Sequence, residues 1–117
     1  MKHYLAVFTG TAAGRTEWDK LDADTRKQRE QQGMAAWGQW MQDHAADIVD
    51  TGGPLGKTKL TNRDGIVDTS NNLAGFVKVQ AESQQAAAEL FKNHPHFSIF
   101  PGDGVEVMEC LPIPTKP

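Results

Sequence analysis

The segment NNLAGFVKVQA, residues 71–81, constrains this chain more than any other. Its alternation puts Gly75, Val77, Val79 and Ala81 on one side of a strand and Phe76, Lys78 and Gln80 on the other. A second strand is expected in HYLAVFTG, residues 3–10, closed by Thr9-Gly10. Its faces, His3, Leu5, Val7 and Tyr4, Ala6, Phe8, are both largely apolar, so both should be covered. GVEVMECL near the end sets Val105, Val107, Glu109 and Leu111 against Glu106, Met108 and Cys110. Between them, KTKLTNRDGIVDTS has the pattern of a hairpin turning at Asp64-Gly65, because Gly accepts the positive φ of a tight turn.

Two helices separate these strands. Thr25 followed by Gln28 fits a capping box. Met34, Trp37, Met41, Ala45 and Ile48 then form an apolar stripe with Trp40 on its edge, and Gly52-Gly53-Pro54 stops the helix. The preceding stretch TAAGRTEWDKLDAD is expected to be a connection, with a helical turn near Glu17 to Leu21. Ser83 is the expected N-cap of the second helix, whose apolar face is Ala87, Leu90 and Phe91 and whose end is Pro95. The order predicts an α+β fold, a ferredoxin-like βαββαβ sandwich with an antiparallel sheet and two helices on one face. Residues 1–117 are expected to form a single domain. The opposite sheet face mixes Phe76, Lys78, Glu106, Met108 and Cys110, suited neither to a core nor to solvent. Packing against a second copy would cover it, so a homodimer is expected, with a cavity in which Lys78 and Glu106 pair.

A net charge of −3 argues against a nucleic-acid partner, and the cluster Arg26, Lys27 and Arg29 is interleaved with Gln28 and Glu30. No window reaches the roughly 18 apolar residues of a membrane span. Cys110 is the only cysteine, so no intrachain disulfide forms, and the opening MKHYLAVF is too short for a signal peptide. The expected location is cytoplasmic, with no cofactor. GGPLGKT lacks the glycine spacing of a phosphate loop.

The order and spacing of MKHYLAVFTG, a Trp-bearing helix closing on GGPLG, the RDG hairpin, LAGFVKVQAES before an Ala-rich helix, HP, and GVEVMECLPIP resemble the YCII-related domain, most closely its DGPF branch. The resemblance covers nearly the whole chain and implies a dimeric α+β barrel. Some members carry a His–Asp pair proposed as catalytic; here Trp37 or Trp40 stands at the histidine's position, and the DGPF tetrapeptide is absent. Members of that branch are often encoded near extracytoplasmic-function sigma factors, which suggests a regulatory or accessory role as the alternative to chemistry.

His94-Pro95-His96 has the spacing of half a metal site, but no third ligand is placed by spacing and Pro95 disfavours a regular strand, so no metal is expected. The main reading is a helix stop, with Phe97, Ile99 and Phe100 latching the loop to the core. The functional reading makes His96 or His44 a general base, oriented by Asp103, Glu106 or Asp64. Trp37 and Trp40 would wall a pocket for a flat or apolar ligand, with Phe76, Lys78 and Glu106 as further contacts. The function expected is binding of a small organic molecule, with cofactor-free isomerase- or lyase-like proton transfer.

Overall fold

Four strands form one antiparallel sheet in the order β2-β5-β1-β6: β1 (Lys2–Gly10), β2 (Ile48–Pro54), β5 (Leu73–Ala81) and β6 (Gly102–Glu109). The computed structural model describes residues 1–114, so the end of the Pro-punctuated tail lies outside the described residues. The helices are α1 (Ala12–Asp19), α2 (Ala23–Asp43), α3 (Gln84–Glu89) and the single turn α4 (Pro95–Ser98). With the hairpin β3 (Thr58–Asn62) and β4 (Gly65–Thr69) set aside, this is the ferredoxin-like βαββαβ order, as expected. No helix among the described residues is long and apolar enough to cross a membrane.

The alternation of β5 decides which face is core. Register pairs Tyr4 with Val79, Ala6 with Val77 and Phe8 with Gly75, while β6 sets Val105 beside Phe8 and Val107 beside Ala6. These residues face the helices and close on Trp40, Ala87 and Phe91 in one buried cluster. Trp40 fixes α2 to the end of α3: its indole N–H donates to the Leu90 carbonyl at 2.8 Å. On the other face lie Leu5, Val7, Phe76, Lys78, Glu106 and Met108.

The helix starts and stops correct the sequence reading. Residues 12–19 are a full helix, not a connection. Thr11 caps it by accepting the Gly14 N–H at 3.0 Å, and Trp18 packs on Phe100 with ring centroids 5.9 Å apart. The cap of α2 is Asp22, which accepts the Thr25 N–H at 2.9 Å; Thr25 already lies inside the helix. A carboxylate there also favours the positive end of the helix dipole. The buried line of α2 runs through Gly33, Trp37 and Trp40, whereas Met34 is 70% exposed. A Cβ at Gly33 would overlap the Phe100 ring, so the glycine is what lets that ring close on the helix.

Nor does α2 continue to Gly52-Gly53-Pro54. It ends at Asp43, a short turn follows, and the glycines belong to β2. There the pairing with β5 slips between Asp50 and Gly53, and Asp50 accepts the Gly52 N–H at 2.9 Å. Gly52 has φ +60, and a Cβ on it would overlap the Phe76 carbonyl, so this bulge demands glycine.

The hairpin β3–β4 forms its own two-stranded sheet, and every residue from Lys59 to Thr69 is exposed. It extends a molecule measuring 60 × 43 × 18 Å, whose short dimension is one sheet and one helix layer.

Trp40→Phe removes the bond to Leu90 and part of the buried ring. Unfolding in urea should show a loss of about 2–3 kcal/mol. A loss below about 0.5 kcal/mol would mean that Trp40 does not anchor α2.

Candidate functional site

The His-Pro-His segment folds as the first turn of α4. Pro95 occupies the first helical position, where a missing N–H costs nothing. His94 is therefore an N-cap and not a helix stop: its Nδ1 accepts the His96 backbone N–H at 3.0 Å. This histidine is fully buried. Aromatic rings enclose it, with centroids at 4.5 Å for Trp37, 4.8 Å for Trp40, 5.1 Å for Phe8 and 5.9 Å for Phe91.

Because Nδ1 accepts, the neutral ring carries its proton on Nε2. That nitrogen is the one sealed side-chain polar atom without a hydrogen-bond partner among the described residues. Trp37 stands perpendicular to the imidazole, at an interplanar angle of 89°. Burial, followed by the neighbouring His96 and His44, pushes the His94 pKa down to about 4. The ring thus stays neutral at ordinary pH, and His94 serves as a fixed cap.

His96 is held differently. The residue is 7% exposed, and Nε2 lies 2.6 Å from the Thr9 carbonyl. A carbonyl can only accept, so Nε2–H donates and Nδ1 carries the free lone pair. The partner that orients this ring is therefore backbone, not Asp103, Glu106 or Asp64 as the sequence suggested. Gly102 makes the arrangement possible, since a Cβ there would overlap the His96 ring and carbonyl.

His96 borders a cavity of about 520 Å³ between α2 and the sheet. Phe8, Trp37, Gly75, Val77 and Phe100 supply most of an apolar wall, with Met34 of α2 and Thr51 of β2. The volume suits a small organic molecule, for which cavities of about 300–1,000 Å³ are usual.

Of the residues singled out in the sequence, Trp37 and His96 meet at this cavity, and Phe76 borders it from β5 although its side chain belongs to the opposite sheet face. Trp40 stands behind it in the core, more buried than the sequence placed it. His44 caps the C-terminus of α2 and stacks on Trp40 at 4.9 Å, away from the cavity wall. Lys78 and Glu106 share the opposite sheet face, as expected, on either side of β1, and no ion pair joins them among the described residues. Lys78 pairs with Leu5 and Asp50 in register, whereas Glu106 pairs with Val7. Phe8, Gly102 and Phe100 were missed as site residues. Gly102 had one visible signal, a glycine directly after Pro101 in a short apolar-to-strand junction.

No family model matches this sequence, and no curated protein matches it. Three chains of solved structures do. One is 5-chloro-2-hydroxyhydroquinone dehydrochlorinase from Burkholderia phenoliruptrix AC1100, solved in complex with 2,5-dihydroxybenzoquinone. The similarity spans 90% of this chain and 89% of that one, with a TM-score of 0.51 and 18% identity, and it establishes a shared fold.

The depressed His94 pKa has a testable sign. The unfolded state takes up a proton near 6.5, while the folded state resists until about 4. Stability from this group is therefore complete above 6.5 and is lost as pH falls through that window. His94→Asn keeps an acceptor for the His96 N–H but cannot titrate. It should cost about 1–3 kcal/mol at neutral pH through lost packing. The difference from wild type should shrink steadily as denaturation is repeated down to acid pH. A constant difference would contradict a buried neutral His94.

Proposed function

We propose that this chain is a YCII-related protein of the DGPF-like type that binds a small, flat organic molecule in the α2–sheet cavity and catalyses cofactor-free proton transfer on it. One observation carries the reading: His96, itself nearly buried, has one nitrogen tied to a backbone carbonyl and the other free, at the wall of an apolar cavity of about 520 Å³ that opens to solvent past Met34. Fixing the tautomer leaves a single lone pair available as base. Trp37 and Phe100 place aromatic rings in the wall, which suits a planar ligand, and the bound ligand itself would displace water from the apolar surface beside His96. Nδ1 would remove a proton from a carbon next to a carbonyl. The C–H electron pair moves into the conjugated system, and the imidazolium returns a proton at the same or a neighbouring position. That sequence is an isomerisation. In an elimination the same C–H electron pair would form the new double bond while a neighbouring leaving group departs with its bonding pair, and the imidazolium would give its proton to that group or to water. His44, outside the cavity, has no part in it.

The alternative, an interaction or sigma-factor-linked accessory protein, draws support from exposed Leu60, Ile66 and Val67 on the hairpin. A cavity with an oriented imidazole favours the small-molecule reading.

We infer a homodimer packed through the open sheet face. Met108 there is exposed and Leu5 and Phe76 are half-buried, and apolar area of this kind gains from leaving water. Sedimentation at micromolar concentration should give a dimer, and Met108→Glu should shift it toward monomer. A wild-type monomer would refute the assembly.

The planar ligand of the structural neighbour, 2,5-dihydroxybenzoquinone, is a suitable first probe. Calorimetry should detect one saturable site per chain. In heavy water, the protein should accelerate loss of the probe's ring-proton NMR signal. His96→Gln should reduce that acceleration about a hundred-fold, whereas His44→Ala should retain it. Exchange no faster than in buffer, or unaffected by His96→Gln, would overturn the catalytic assignment.

A further inference from the structure

A second cavity, of about 450 Å³, adjoins the first, and the two share Ala74, His96 and Phe100 in their walls. Its chemistry is different. Thr11 and Arg15 enter from the start of α1, and Asn71 and Asn72 from the foot of the hairpin. Arg15 is its one ionised lining residue, and no carboxylate lines it. Arg15 makes a loose contact through Nε, 3.7 Å from Asp19, which leaves the terminal guanidinium nitrogens without a partner among the described residues. Asn71 is already engaged: its side-chain oxygen accepts the Leu73 N–H at 2.9 Å. Asn72 is held by its backbone, whose carbonyl accepts the Gly10 N–H at 2.9 Å, and its side-chain amide makes no bond among the described residues. His96, more than nine-tenths buried, stands where the two cavities meet with its Nδ1 unpaired.

We propose that the site takes an elongated ligand of mixed chemistry, a flat apolar ring in the first cavity joined to a carboxylate or similar anionic group in the second. The inference rests on the small-molecule reading above and adds the charge and shape of the substrate. The two cavities force one orientation. An anion placed in the first would lose its hydration among Phe8, Trp37 and Val77 with no cation in reach, which is costly. In the second, the fork of Arg15 matches a carboxylate, and the Asn72 amide can donate to the same group. A ligand so held puts the bond that links ring and acid beside His96. The substrate class is thus an aryl or enone acid with the anion one short tether from the ring.

The test uses three matched pairs of probes with growing tethers: benzoate, phenylacetate and hydrocinnamate, each against its neutral primary amide. Binding to wild type is measured by calorimetry and by tryptophan fluorescence. For at least one tether length the acid should bind about five-fold or more tightly than its amide. Arg15→Gln should bring that ratio to within about two-fold, and Arg15→Lys should keep part of it. Arg15 is 76% exposed, so melting temperatures should confirm that both variants are folded. Amides that bind as well as their acids would overturn the anion site while leaving the apolar cavity reading intact, as would a preference that survives Arg15→Gln. Failure of both series to bind would overturn both.

Discussion

The hydrogen bond from the His96 backbone N–H to His94 Nδ1 is the contact on which the site depends. It is made where water does not reach, so His94 must be neutral to accept it. The surrounding rings of Phe8, Trp37, Trp40 and Phe91 enforce neutrality by making a charge expensive. The same rings come from β1, α2 and the residues just after α3, so one imidazole joins the sheet to the long helix and to the segment that follows α3. The turn it caps then delivers the His96 ring to the Thr9 carbonyl. Two histidines of one short motif thus have opposite duties. One is locked at both the packing and the hydrogen-bonding level. The other is locked on one nitrogen and left free on the second.

Orientation by a carbonyl, in place of a carboxylate, matters for chemistry. It fixes the tautomer without placing a negative charge beside the ring, and it binds the position of His96 to the register of β1. Gly102 completes the geometry from β6, so two strands and one helical turn meet at this residue through backbone atoms as much as through side chains.

The sheet was legible because period-two alternation is a strong signal. Val77 and Val79 face Tyr4 and Ala6 as their spacing implies, and Ser83 caps α3 as its position implies. The apolar stripe of the first long helix was read correctly at Trp37 and Met41 but not at Met34, because the buried side is centred nearer Gly33 and Trp40. A glycine carries no hydrophobic weight in a pattern, yet here its missing side chain admits Phe100. Gly52-Gly53-Pro54 has the composition of a helix stop and serves instead as a strand bulge, a choice made by the Phe76 carbonyl pressing against Gly52. Site residues divide in the same way. Trp37 and His96 could be nominated by type, but their meeting with Phe8 and Phe100 is a product of long-range packing. Lys78 and Glu106 do share a sheet face, as alternation implies, with β1 between them.

The hairpin departs from the sheet and returns to it at neighbouring points. Pro54 pairs with Gly75, and the Leu55 N–H reaches the Ala74 carbonyl at 2.9 Å, so the sheet itself holds the two ends together. Closing an excursion of that kind costs nearly the same whatever its length, since loop entropy grows only with the logarithm of chain length. Evolution can therefore lengthen, trim or redecorate β3–β4 with little effect on the core. Its foot has no such freedom, because Asn71 and Asn72 border the cavity beside His96. The hairpin is accordingly a place where descendants of this sequence can diverge in what they recognise while inheriting the same histidine pair unchanged.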